Sequence, residues 1–304
     1  MKVEKTHYGV WEHAYKITNG EVEMIVTSSN GPRVIHFGFA GGQNFFRVFP
    51  DGKGFNHKSH LGEWFIMGGH RLWAAPETVP STYFPDNGPV QIDVHEDGLT
   101  ATAEAETSVG LQKAITIKMS ESGTNVEMIH KITNIGGFPT EIAPWALSVM
   151  SQGGVGVTGF PPRGTHPEVL PPSNPLIMWA FTDLSDPRWI FTKKHLALKQ
   201  DPRNNVPQKL GHFNQDTWAA YLLNGEAFLK KYKGEPGKPY ADMGSSFEIF
   251  TNADFLELQT LGPLQKLPPG ETLTHIEHWS LHKNVHIDQW NDETLDRVLG
   301  PLRK

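Results

Sequence analysis

Cysteine is absent from this chain of 304 residues. Without thiols there is no disulfide scaffold, no thiolate nucleophile and no Cys-ligated zinc or iron–sulfur centre. Long apolar stretches are missing too. The longest run, Leu176–Phe181, reads LIMWAF, far short of the ~18 residues that a membrane-spanning helix needs. The opening MKVEKTHYGVWEHAYKITNG holds neither the apolar core nor the small-residue cleavage site of a secretory leader. The expectation is a cytoplasmic protein with no membrane partner. Charged residues make up only 20 %, and their balance is −6. A mildly acidic surface repels phosphates, so no nucleic-acid partner is expected. Also absent are a Gly-x-Gly-x-x-Gly after a strand, Gly-x-x-x-x-Gly-Lys, Gly-x-Ser-x-Gly and His-Glu-x-x-His. That removes the dinucleotide, ATP, standard serine-hydrolase and zincin readings.

What the chain has in quantity is turn formers, 30 glycines and 23 prolines, too many for long helices. With them come 38 % apolar and 11 % aromatic residues, enough to fill a core. Between the Gly, Pro, Asn and Asp clusters lie short alternating or β-branched runs that read as strands. The first half supplies Glu21–Thr27, Arg33–Phe39, Val90–His95, Thr100–Thr107, Leu111–Met119, Asn125–Thr133 and Ile142–Met150. The second half supplies Trp189–Phe191, Leu196–Lys199, Trp218–Leu223, Ala227–Tyr232, Ser246–Thr251, Leu256–Thr260 and Thr272–Leu281. Asn224-Gly225 suits a hairpin turn. One helix is expected over Asn291–Leu299, capped by Asp292. The proline-rich Gly159–Pro175 reads as a long irregular connection over the surface. No linker or repeat divides the chain. The pattern predicts an all-β fold, a large antiparallel β-sandwich with few short helices, as one domain over residues 1–304.

Fifteen histidines and nine tryptophans are the compositional oddity. Trp stacks on sugar rings, and His moves protons near neutral pH. The densest motif is Gly68-Gly69-His70-Arg71-Leu72-Trp73. Two glycines permit close backbone approach, His70 titrates, Arg71 offers a donor fork, and Trp73 offers a platform. Glu77 is expected to pair with Arg71. His60 lies just upstream and is a weaker candidate. Glu257 sits mid-strand on the side opposite Leu256 and Leu258, and a carboxylate is seldom placed there for packing alone. Glu277 alternates with His275 and Trp279 and is the second candidate base. His275-x-Glu277-His278 loosely matches a cupin metal motif, with Glu277 where a second His would be needed. His278, His282 and His286 would share a face only on a helix, and this stretch alternates as a strand. No metal and no other cofactor is therefore expected. A cupin-like metalloenzyme is the least favoured alternative.

Three segments together resemble the galactose-mutarotase-like (aldose 1-epimerase-like) β-supersandwich proteins. They are Asn30–Phe45 (NGPRVIHFGFAGGQNF), Gly68–Glu77 (GGHRLWAAPE) and Glu257–Leu281 (ELQTLGPLQKLPPGETLTHIEHWSL). The match is to an uncharacterised branch, and the strand order agrees along nearly the whole chain. What the resemblance implies is a small-molecule sugar partner and acid–base opening of its ring. A carboxylate takes the anomeric proton, an acid protonates the ring oxygen, and reclosure gives the other anomer. By the resemblance, Glu257 is the base. Trp145 stands where the family's strand presents its catalytic histidine, so the acid is expected from His70. Substrate contacts are expected from Arg71, Trp73, Glu77, His60, Trp145 and Glu277. The alternative to an epimerase is a non-catalytic sugar-binding module.

Overall fold

The structure, a computed structural model, describes residues 1–304. Two sheets, of eleven and ten strands, make up the molecule. The larger runs Lys2–Tyr8, Trp11–Thr18, Val22–Thr27, Arg33–Phe39, Gly69–Ala75, Thr140–Met150, Leu256–Leu261, Phe247–Thr251, Gln208–His212, Leu176–Met178. Its eleventh strand, Gln265–Leu267, pairs with one end of Thr140–Met150. The smaller sheet runs Trp189–Phe191, His195–Lys199, Val155–Gly159, Asp216–Leu223, Glu226–Lys233, Thr272–Lys283, Val126–Asn134, Leu111–Met119, Gly98–Ala103, Val90–His95. A separate hairpin joins Asn56–Ser59 to Gly62–Phe65. The fold is an all-β antiparallel sandwich with one α-helix, and no helix is long and apolar enough to cross a membrane.

The main core lies between the sheets and holds 38 buried residues. Aromatic edges cross it: Phe37 meets Trp279 at 5.7 Å between ring centroids, and Phe46 meets Phe228 at 5.9 Å. Strand Leu111–Met119 alternates buried and half-exposed residues, as one sheet face meets the core and the other meets water. Thr140–Met150 is buried on both faces. The reason is a second apolar cluster of 12 residues on the far side of the large sheet, centred on Trp64, Trp73, Trp145 and Phe255.

Most strands fall within a residue or two of their sequence-read bounds. Several were not legible, including Lys2–Tyr8, Trp11–Thr18, Gly69–Ala75 and Gln208–His212. Gly69–Ala75 hides between turn formers, two glycines before it and Pro76 after it. Both glycines are needed: Gly68 and Gly69 have φ of 85° and 74°, and a Cβ on them would fall 1.9 Å from Arg47 O and 2.3 Å from Val34 O. The helix Asp292–Leu299 is capped by Asn291, whose side chain accepts from Thr294 N–H. Asp292 is instead drawn away to the Thr192 hydroxyl and lies 2.9 Å from His195 Nδ1.

Candidate functional site: a tryptophan-walled cleft

Five adjacent strands of the large sheet carry the site: Gly69–Ala75, Thr140–Met150, Leu256–Leu261, Phe247–Thr251 and Gln208–His212. Their register sets Arg71 beside Leu147, Leu147 beside Gln259 and Gln259 beside Glu248. The row next to it sets Glu257 beside Phe250 and Phe250 beside Lys209. A strand's period of two sends these side chains to one face. There all of them but Glu248 floor a cleft of about 250 Å³. Its walls come from other segments: Phe55 and Trp64 from the small hairpin region, Glu77 and Tyr83 after the Arg71 strand, and Trp179 and Phe181 after the proline-rich stretch.

Glu257 is held from two sides. Arg71 Nη2 donates to its Oε1 at 3.1 Å, and Gln259 Nε2 donates to its Oε2 at 2.7 Å. Trp145 Nε1 in turn donates to Gln259 Oε1 at 3.1 Å. The Arg71 guanidinium lies 4.3 Å from the Trp73 ring centroid and 5.5 Å from that of Trp64. Trp73 touches Trp64 and Trp145 with centroids 5.1 and 5.5 Å apart. Glu77 does not pair with Arg71 as the sequence suggested. It accepts the Tyr83 hydroxyl instead, and burial, reinforced by this carboxylate, raises the Tyr83 pKa above the usual phenol range. Arg71, Trp73, Glu77, Trp145 and Glu257 thus line one concavity.

His70 does not line it. One residue before Arg71, its side chain points through the sheet into the core and is fully buried. There it joins a chain of polar groups that also contains Glu277. His130 Nδ1 donates to His275 O at 3.0 Å, so in neutral His130 the Nε2 accepts. It accepts from His70 Nε2 at 2.7 Å. His70 Nδ1 then accepts from the Ser148 hydroxyl at 2.9 Å, and Ser148 accepts from Lys230 Nζ at 3.2 Å. Lys230 is 2.7 Å from Glu277 Oε1. Trp279 Nε1 donates to Glu277 Oε2 at 2.8 Å, and Thr260 also donates to this carboxylate. Burial holds the imidazoles of His70, His130 and His275 in their neutral form, His275 down to about 3. Glu277 is held well below the usual carboxylate range, the cost of its burial outweighed by the Lys230 ammonium against it.

The ligand atoms of His70, His130 and Glu277 lie within 4.8 Å of one another, close enough to hold an ion. The donor set argues otherwise, because the Lys230 ammonium already sits against Glu277 and each of the three has protein partners. The remaining candidate, His60, is exposed on the hairpin turn and borders a different hollow, with Pro76 and Thr140. An imidazole beside the cleft wall is that of His57, whose ring lies tilted against Tyr83 with centroids 4.4 Å apart.

Lys209, Trp179, Phe181, Phe250 and Gln259 belong to the cleft and were not singled out from sequence. Gln259, two residues after Glu257, could have been found by strand periodicity. Lys209 lies on an unrecognised strand, and Trp179 and Phe181 follow an irregular segment.

No family model matches the chain, and no curated protein matches it by sequence. Solved structures do. A galactose mutarotase-like protein from Lactobacillus casei superposes with a TM-score of 0.57 at 10% identity, covering 88% of this chain and 100% of that one. A galactose mutarotase related enzyme from Lactobacillus acidophilus gives 0.56 at 8% identity, covering 89% and 98%. A galactose mutarotase-like protein from Clostridium acetobutylicum gives 0.51 at 9% identity, covering 93% and 98%. Across nearly its whole length, this chain has the galactose mutarotase-like β-supersandwich fold.

Proposed function

We propose that the protein binds a small sugar in the tryptophan-walled cleft and exchanges its anomers by acid–base ring opening, with Glu257 as the base. The observation that carries this reading is Glu257 itself. It is a carboxylate on the cleft floor, oriented by Arg71 and Gln259, in a cleft lined by four tryptophans. Indole faces suit the C–H faces of a pyranose, and the carboxylate suits its anomeric hydroxyl. The likeness to mutarotase-like structures supports the same substrate class. His70 is sealed behind the sheet, so the proton for the ring oxygen comes from a group inside the cleft. The Tyr83–Glu77 pair, with His57 behind it, is the ionisable pair on the wall.

The test is exchange NMR on a panel of aldoses and sugar acids. Anomer exchange accelerated by the protein and lost in Glu257→Gln is the expected result. No acceleration for any sugar in the panel would overturn the catalytic reading. A non-catalytic sugar-binding module is the second reading, favoured by one observation: no imidazole is among the residues that line the cleft. It predicts calorimetric binding that survives Glu257→Gln without any exchange activity.

A further inference from the structure

The hydrogen-bonding capacity of the cleft floor is unbalanced. Each Glu257 oxygen already accepts one protein donor and keeps a lone pair for a sugar hydroxyl. Three donors on residues that line the cleft lack an acceptor: Arg71 Nε, Arg71 Nη1 and Trp64 Nε1 are buried and unpartnered. Buried donors left without partners cost stability, so an arrangement that keeps three of them at one concavity suits a ligand rich in acceptors.

A second cation reaches the same place by a long path. The Lys209 strand is separated from the Trp145 strand by two others, Phe247–Thr251 and Leu256–Leu261. Yet Lys209 Nζ lies 5.0 Å from the Trp145 ring centroid and 4.1 Å from that of Trp179. The side chain is laid across the floor, with its ammonium between two indoles. Its carboxyl neighbour is Glu248, 2.7 Å away, placed for an ion contact without an aligned hydrogen bond. Burial, aided by Asp242, pushes the Glu248 carboxyl up to about 8 against the pull of Lys209. Burial disfavours the charged form of this one neighbour, so it offsets the ammonium only in part.

We infer that the sugar bound in this cleft is an acid, a monosaccharide bearing a carboxylate that is received by Lys209 and the free edge of Arg71. The inference rests on the sugar-binding reading and narrows it. A carboxylate is favoured over a phosphate by what the floor offers. Its donors are side chains only, because amides of these central strands are engaged in the sheet ladders. Phosphate sites commonly recruit backbone N–H groups of a helix N-terminus or nest. One ammonium and one guanidinium edge match the two oxygens of a carboxylate.

The test is titration calorimetry of the intact protein with galacturonate and glucuronate against galactose and glucose, at low and at high salt. Hexose 6-phosphates form a third arm. The expected result is that one uronate binds at least about tenfold more tightly than its neutral parent, a preference that shrinks with salt. Lys209→Met should bring the ratio toward one, and Lys209→Arg should keep it. The wild-type comparison stands without any variant, should Lys209→Met not fold. Equal affinity for a neutral hexose and its uronate would overturn the acidic-sugar inference and leave sugar binding intact. Binding of a hexose 6-phosphate with no uronate binding would overturn the carboxylate. Binding of none of these would overturn both this inference and the reading beneath it.

Discussion

Two faces of the same strands make the instructive comparison. His70 and Arg71 are consecutive, as are Ser148 and Leu147, and Leu258 and Glu257. One member of each pair faces the core and the other faces the cleft. On the core side the charges are matched and most polar groups are paired: Lys230 against Glu277, His70 against Ser148 and His130, with the Nδ1 atoms of His212 and His275 left over. On the cleft side donors stand without acceptors, and a lysine is braced over indole rings. Satisfied polar groups fix a structure, while unsatisfied ones await something. Residue type does not separate the two sets, since both hold carboxylates, cations and tryptophans.

The contrast can be attacked from either face. The largest effect belongs to the core. Glu277→Gln strands the Lys230 ammonium in a dry interior and should cost about 3–5 kcal/mol in denaturant unfolding. A variant as stable as the wild type would show that water reaches Lys230. Next comes Glu257→Gln, which should lower anomer exchange by about 10²–10⁴-fold while near-ultraviolet dichroism reports an intact fold. Retained exchange would take Glu257 out of the chemistry.

Acid should strike the core harder than the cleft. The buried imidazoles have folded pKa values below their ordinary ones, so the unfolded chain binds more protons as pH falls. For each imidazole, stability is complete above about 6.5 and declines below it by about 1.4 kcal/mol per pH unit, for His275 down to about 3. Glu248 works in the opposite sense, being raised to about 8: its contribution is present at low pH and fades as pH climbs from ordinary carboxylate values through 8. With the imidazoles of His36, His70, His130, His212 and His275 lowered against the carboxyls of Glu106 and Glu248 raised, thermal melts at pH 5 should lie below those at pH 7. An unchanged melting temperature would break the account of a sealed interior.

Smaller effects sharpen the cleft. Trp73→Phe keeps a ring but narrows it, and should weaken sugar binding about two- to tenfold by calorimetry. His60→Ala, on the exposed turn, should alter stability by less than about 0.5 kcal/mol and leave binding unchanged.

How much of this was legible in the sequence follows from the range of each signal. Strands were legible because alternation and turn chemistry are local. Arg71 and Trp73 stood out through the motif they share with Gly68 and Gly69, Glu257 as a carboxylate in mid-strand, and Trp145 through the family resemblance. The partner of Arg71 was not legible, since Glu257 lies 186 positions away and Glu77 only six. The alternation of His275, Glu277 and Trp279 was plain. That their face is the interior depends on which sheet the Thr272–Lys283 strand joins, and its neighbours Glu226–Lys233 and Val126–Asn134 are set by long-range pairing. His70 and Arg71 could both look functional for the same reason: the motif names residues, and only the packing of the second sheet decides the face.

The clustering of Trp64, Trp73, Trp145 and Trp179 around one concavity has an optical consequence. Four of the nine indoles in the chain share it, so the intrinsic fluorescence is weighted toward the cleft. Occupancy by an unlabelled, colourless molecule becomes visible as quenching or a spectral shift. The absence of cysteine completes the toolkit, because one thiol introduced at the rim would be the sole site for a dye. The protein is thereby suited to report its own ligand, before any assay of turnover is devised.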